Sequence, residues 1–296
     1  MEEYQPMETM EKRISTAAIY VSPHGTTRKA IEALAASLKE CGMSTDVLNL
    51  SELINNGGRE KLYRDLSEYE LIIFGSPTYF HHAPPVLMEF IDNMPETKTG
   101  QAVALLSTFG GVSSGVILYD MAKILYKKKY RLMGGAKVLT EHCLTFQADT
   151  PFYSGHPDDA DLEVVADFGK EIVHRLQNEN NKGYLPDAFN DKPFLLNFID
   201  DYINKIENLS WSMPSVKVKQ SECTGCGLCV KNCPTNNIEL ADNIAIHKKN
   251  CTYCYSCVRI CPSNAARAYL KPAVPVVKWL AKKLNKYEGR MTRQVV

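Results

Sequence analysis

The sequence predicts an α/β domain, a five-stranded parallel sheet with helices on both faces, followed by a small α+β module organised around cysteines. Two observations carry this. Between residues 14 and 178, five short apolar runs alternate with stretches whose apolar residues recur at helical spacing. Between Cys223 and Pro262, eight of the chain's ten cysteines fall into two copies of one pattern.

Ile14 to Val21 is apolar enough for a buried strand, and Ser22-Pro23-His24-Gly25 breaks it. Ile31, Leu34, Ala35, Leu38 and Cys41 then fall on one helical face. Val47 to Leu50 reads as a second strand, Arg59 to Leu66 as a short helix, and Leu71 to Phe74 as a third strand stopped by Gly75. Pro84 and Pro85 open a helix through Asn93, because the first turn does not need the N–H that proline lacks. Gln101 to Ser107 is the fourth strand, Ser113 to Lys128 a helix, Lys137 to Leu144 the fifth strand and Leu162 to Leu176 the last helix. Strands alternating with helices, without long hairpin signals, imply parallel pairing covered on both faces. Cys41 and Cys143, outside the repeated pattern, read as small core residues.

Sheets of this kind place ligands beyond the carboxyl ends of their strands. The turn after the first strand, Ser22 to Thr27, offers hydroxyls, an imidazole and backbone N–H groups at a helix N-terminus, suited to a phosphate. The turn after the third, Gly75 to His82, puts Tyr79 and Phe80 beside a proline bend. The turn after the fourth, Ser107 to Gly111, joins an aromatic ring to exposed N–H groups. A phosphate end and a flat aromatic end suit flavin mononucleotide. Adjacent His81 and His82, lacking a third partner, edge a pocket rather than hold a metal.

Over about residues 14 to 178 the strand order and turn chemistry resemble a flavodoxin. That resemblance implies that Ser22, His24, Gly25, Thr26 and Thr27 hold the FMN phosphate. Pro77, Thr78, Tyr79, Phe80, Thr108, Phe109, Gly110 and Gly111 would then flank the isoalloxazine ring. Ser22, Gly25 and Thr27 match the family's phosphate loop, whereas His24 replaces its usual Thr and Thr26 its usual Asn.

The repeats are Cys223-x-x-Cys226-x-x-Cys229-x-x-x-Cys233-Pro and Cys251-x-x-Cys254-x-x-Cys257-x-x-x-Cys261-Pro. This is the bacterial spacing for two [4Fe-4S] clusters, three thiolates wrapping a cubane and a fourth coming from elsewhere. Zinc sites use separated Cys-x-x-Cys pairs and do not need this doubled register. Each copy continues alike, Cys-Pro-Thr-Asn and Cys-Pro-Ser-Asn, an internal duplication. Ile238 to Ile246 reads as a hairpin turning at Asp242-Asn243. From about Val216 to Tyr269 the chain resembles bacterial two-cluster ferredoxins. In those proteins the cysteine before proline ligates the opposite cluster, which implies Cys223, Cys226, Cys229 and Cys261 for one and Cys251, Cys254, Cys257 and Cys233 for the other.

The expected organisation is a flavodoxin-like domain at 1–178, a linker and docking helix at 179–215, a ferredoxin domain at 216–270, and an amphipathic helix and tail at 271–296. The docking helix, Pro193 to Leu209, carries an apolar stripe to pack between the modules. In the tail, Val276, Leu280, Leu284 and Tyr287 alternate with Lys278, Lys282, Lys283 and Lys286, as on a surface helix packed on the body, the alternative being a contact with a membrane surface or an acidic partner. Lys plus Arg and Asp plus Glu both number 34, which gives no hint of nucleic acid. The acidic N-terminus has no apolar run and no segment approaches the ~20 apolar residues that span a bilayer, so neither a secretory signal nor a membrane span is expected and a cytoplasmic setting is. No Gly-x-Gly-x-x-Gly follows a strand, so NAD(P)H is not the expected direct donor.

These readings together point to an electron-transfer flavoprotein that passes electrons among two [4Fe-4S] clusters, FMN and redox partner proteins or small acceptors. The alternative is an FMN-dependent reductase of a small substrate such as a quinone or nitro compound. Tyr79, Phe80, His81 and Phe109 would then wall the substrate.

Overall fold

In a computed structural model, the described residues are 14–178, 182–190, 213–288 and 292–296. The first unit runs β1 (Ser15–Tyr20), α1 (Thr26–Glu40), β2 (Ser44–Asn49), α2 (Leu50–Asn55), α3 (Arg59–Asp65), β3 (Leu71–Pro77), α4 (Pro85–Asp92), β4 (Ala102–Phe109), α5 (Ile117–Lys127), β5 (Arg131–Leu139) and α6 (Asp159–Gln177). Its five strands pair in parallel in the order β2-β1-β3-β4-β5. This is the flavodoxin-like order, and the chain reverses direction across the sheet between β1 and β3.

Both faces of the sheet are covered because the strands are apolar on both sides. Ala18, Tyr20, Ile73 and Leu106 pack with Ile31, Leu34 and Leu38 of α1 and with Val165, Phe168 and Ile172 of α6. Ala17, Ile19, Ile72, Phe74 and Leu105 pack with Leu50, Leu87, Phe90, Ile117 and Met121 on the other face. Buried apolar area at about 25 cal/mol per Å² makes these two layers the main support of the domain.

Five expectations are corrected. The fifth strand is Arg131–Leu139, not Lys137 to Leu144. Its hydrogen-bonding partner is the whole of β4, from Ala102↔Arg131 to Phe109↔Leu139, so residues 140–158 leave the sheet as a loop. Cys143 therefore lies in that loop rather than in a strand, and Cys41 caps α1 as an exposed residue rather than in the core. The last helix begins at Asp159, three residues early, because Asp158 and Asp161 form a reciprocal capping box. Finally, the sheet has a sixth strand, β10 (Arg293–Gln294), antiparallel to β5.

The second unit contains β6 (Lys217–Val218), α7 (Leu228–Lys231), β7 (Ile238–Ala241), β8 (Ile244–His247), α8 (Ser256–Arg259) and β9 (Ala266–Arg267). The β7–β8 hairpin turns at Asp242 and Asn243, both with positive φ (50° and 60°), the conformation that two-residue hairpin loops require. A long helix, α9 (Ala273–Glu288), precedes β10. The expected docking helix, Pro193 to Leu209, lies outside the described residues. Among the described residues, no helix is long and apolar enough to cross a membrane.

The start of α6 also anchors the C-terminal segment. The Asp161 carboxylate accepts from the Asp158 N–H (2.9 Å) and the Thr292 hydroxyl, and pairs with His156 Nδ1 at 2.6 Å. Asp158→Ala should cost about 1 kcal/mol, the usual worth of an N-cap. Asp161→Ala should cost more, because it also strands a buried threonine hydroxyl; urea unfolding midpoints of the two variants check the order.

Candidate functional site

The turns beyond β1, β3 and β4 converge at one edge of the sheet. Gly25, with φ 81°, reverses the chain before α1, and the Ser22 hydroxyl accepts the Arg28 N–H at 3.0 Å. The Thr27 hydroxyl lies 2.8 Å from that of Thr108, tying the first turn to the fourth. Thr78 donates its N–H to the Thr108 carbonyl at 2.8 Å, tying the third turn to the fourth. Thr26 and Pro77 sit on the same rim, one opening α1 and the other ending β3.

The third turn is tight. Tyr79 and His82 exchange backbone hydrogen bonds at 2.9 and 3.0 Å, and the two residues between them, Phe80 and His81, both have positive φ (49° and 70°). An aromatic and a histidine in this left-handed region store about 1–3 kcal/mol each, held by the surroundings. His81 Nδ1 pairs with the Ser113 hydroxyl at 3.2 Å and His82 Nδ1 with Asp120 at 2.8 Å. The two imidazoles thus brace the turn against the fourth-turn segment and do not converge on a common point.

In the fourth turn Phe109 is buried. Gly110 and Gly111 are pressed by side chains from the 140–158 loop: a Cβ on Gly110 would stand 2.8 Å from His142, and one on Gly111 2.0 Å from the Tyr153 ring. Neither His142 nor Tyr153 was singled out from the sequence. Their only sequence signal is the aromatic and histidine content of a long segment between β5 and α6. Burial lowers the His142 pKa to about 4, so its imidazole is neutral. Burial also raises the Tyr79 phenol well above its ordinary value.

Eight cysteines form two groups. Cys223, Cys226, Cys229 and Cys261 line one cavity, which joins the first three thiols of one repeat to the fourth of the other. Burial raises the pKa of Cys251, Cys254 and Cys257, and Cys233 lies close enough to add charge repulsion to each, which joins the first three thiols of the second repeat to the fourth of the first. The repeats share a backbone: Gly225 and Gly227 have φ of 67° and 72°, and the matching Tyr253 and Tyr255 have 53° and 59°. Asn236 and Asn264 match in the same way (51° and 52°). Backbone donors point at sulfur, from Asn237 to Cys233 at 3.2 Å and from Tyr253 to Cys251 at 3.3 Å.

Exposure separates the two groups. In the second group Cys233, Cys254 and Cys257 are buried and Cys251 is half-buried, whereas in the first Cys226 is exposed and Cys223, Cys229 and Cys261 are half-buried. Burial pushes the Cys257 thiol up to about 12, with neighbouring thiols adding to it, and moves Cys254 further still. Thiolates are soft ligands, and a cationic centre between the four of each group would offset both burial and mutual repulsion.

The second cysteine loop docks on the turns of the sheet. His24 Nε2 donates to the Cys254 carbonyl at 2.6 Å, and the Ser256 hydroxyl donates to the Pro23 carbonyl at 2.7 Å. Burial lowers the His24 pKa to about 4, so the imidazole is neutral and its Nδ1 faces Arg259 at 3.5 Å. Phe80 meets Tyr253 edge to face, with ring centroids 6.3 Å apart. Arg259 pairs with Glu141 at 2.8 Å, and Gln147 makes two hydrogen bonds with the backbone at Ala268 and Leu270. The imidazole of His24 is therefore turned toward the cysteine module.

Residues 14–143 match the family described as NADPH-dependent FMN reductase, and residues 222–265 match the family described as 4Fe-4S dicluster domain. The comparison with curated proteins gave no match. Among solved structures, a flavodoxin from the domain Archaea is 18% identical with a TM-score of 0.43, over 56% of this chain and 100% of its own. Flavodoxin 1 from Bacillus cereus is 20% identical with a TM-score of 0.41, over 54% of this chain and 97% of its own. A flavone reductase is 12% identical with a TM-score of 0.45, over 58% of this chain and 66% of its own. The chain thus has a flavodoxin-like α/β domain whose residues 14–143 are similar to the FMN reductase family, followed by a segment similar to 4Fe-4S dicluster domains.

Proposed function

We propose that the chain is an electron-transfer flavoprotein carrying FMN on the first, third and fourth turns and two [4Fe-4S] clusters on its two groups of cysteines. The observation that carries this reading is the docking of the second cysteine loop on the first and third turns, through His24–Cys254, Ser256–Pro23 and Phe80–Tyr253. An iron-sulfur centre supplies single electrons and a flavin stores one or two, so the pair converts between one- and two-electron partners.

The residues divide the work. Ser22 to Thr27 present hydroxyls and N–H groups at the start of α1, where the helix dipole favours a phosphate. The neutral His24 contributes no charge there and acts as a clasp to the cysteine module. Tyr79, Phe80 and Phe109 supply flat apolar walls, and the fourth-turn backbone supplies N–H groups for a ring edge. The second group of thiols, three of them buried, belongs to the loop docked on the turns, and the first group is the more exposed.

One observation favours a second reading, a reductase acting on a small quinone or nitro compound: the match of residues 14–143 to an FMN reductase family. Phe80 is roofed by Tyr253, which narrows access to the third turn. Turnover of small acceptors by the intact protein, without any protein acceptor, distinguishes this reading from the first.

Anaerobically purified protein should contain about eight irons and eight sulfides per chain. Zinc in their place, or half that iron, would sink the two-cluster assignment. Cys233→Ser should damage the cluster of the second repeat, leaving signals of the other intact by electron paramagnetic resonance. Thr27→Ala should weaken FMN by about 1–2 kcal/mol, the worth of a hydrogen bond to a charged group. Riboflavin, without the phosphate, should be held nearly as before; equal loss for both would put the phosphate elsewhere. In stopped-flow mixing with a one-electron donor, flavin reduction should proceed at a rate independent of protein concentration. The double variant His24→Ala, Ser256→Ala should slow it while retaining both cofactors.

A further inference from the structure

Beyond the redox sites, α9 carries a surface of a different kind. Its inward side is formed by Val277 and Ala281, both nearly fully buried. Its outward side carries Trp279, 58% exposed, with Val276, 54% exposed, and the exposed Pro275, Lys278, Lys282 and Lys283. The sequence pattern alone places Val276 on an inward stripe. The helix is instead rotated so that a tryptophan stands at the centre of the solvent face, with lysines on either side of it.

Charge is distributed in the same sense. From Lys271 to Tyr287 there are five lysines and no acidic residue. Residues 213–288 hold twelve Lys and Arg against four Asp and Glu, and the rest of the chain holds 22 against 30. The overall neutrality of the chain conceals this asymmetry.

We infer that the outward face of α9 is a peripheral contact for an anionic lipid surface. The charge complementarity is direct, since lysine heads are drawn to acidic headgroups and lose this attraction as salt rises. Trp279 supplies the other half of the recognition. An indole is apolar in body and polar at its N–H, and it is favoured at the boundary between headgroups and acyl chains. Lysine stems cover apolar surface while their heads stay in water, so the flanking residues permit shallow burial of the ring. A helix lying in the plane of the surface needs no spanning length.

The test is sedimentation of the intact, cofactor-loaded protein with vesicles of phosphatidylcholine alone or mixed with phosphatidylglycerol. The protein should pellet with the mixed vesicles, remain in solution with the neutral ones, and be released by added salt. Trp279→Ser and the triple variant Lys278→Glu, Lys282→Glu, Lys283→Glu should each be retained roughly tenfold less or weaker still. Unchanged flavin and cluster absorbance shows that both variants remain folded. The inference is overturned if the wild-type protein ignores the mixed vesicles, if both variants sediment as it does, or if neutral vesicles retain it equally. Retention on an acidic protein with none on vesicles would also overturn it, assigning the face to a protein partner.

Discussion

The half-buried hydrogen bond from the His24 imidazole to the Cys254 carbonyl is the central contact between the α/β domain and the cysteine module. It connects the turn that opens α1 to the turn that separates two cysteines of the second repeat. The partner atom is a carbonyl, so Nε2 must carry the proton, and burial keeps the ring neutral. A charged imidazole there would face the Arg259 guanidinium at 3.5 Å. The surrounding contacts of Ser256, Tyr253 and Arg259 depend on the same alignment, because these three residues and Cys254 lie within six positions of one another in one loop and its short helix.

The duplicated cysteine module shows how two copies of one backbone acquire different environments. Positive φ at the residues flanking the middle cysteine is easily borne by Gly225 and Gly227, which have no side chain to collide. The second copy places Tyr253 and Tyr255 at the same angles, at a cost of about 1–3 kcal/mol each. Contacts made by the rings offset that cost. Tyr255 is 1% exposed and donates its hydroxyl to the Pro214 carbonyl at 2.9 Å, while Tyr253 packs its edge on Phe80. The glycine copy, with nothing to pack, faces solvent.

The sheet edge is built by the same kind of exchange. Phe80 and His81 hold left-handed angles because Ser113, the His82–Asp120 pair and the Val116 N–H on the His81 carbonyl leave the turn no other shape. Gly110 and Gly111 give up side chains so that His142 and Tyr153 can lie against the backbone. Each turn is therefore supported by an element distant in sequence, and the loop between β5 and α6 serves the sheet edge and the cysteine module together.

Sequence alone determined the features whose signals are local. The cysteine register, the hairpin at Asp242-Asn243 and the alternation of five strands with helices each depend on spacings within a few residues, which sterics and hydrophobic periodicity translate directly. That the turns beyond β1, β3 and β4 lie at one edge of the sheet follows from strand order, without any contact being known. Tertiary structure decided the rest because those outcomes are long-range. His24 meets Cys254 across 230 positions, Thr292 meets Asp161 across 131, and β10 pairs with β5 from the far end of the chain. The shift of β5 to Arg131–Leu139 reflects its hydrogen bonding to the full length of β4, which outweighs the local apolar run through Leu144. Likewise, the rotation of α9 that exposes Trp279 is set by which residues the body buries, Val277 and Ala281, and no periodicity within the helix chooses between the two faces.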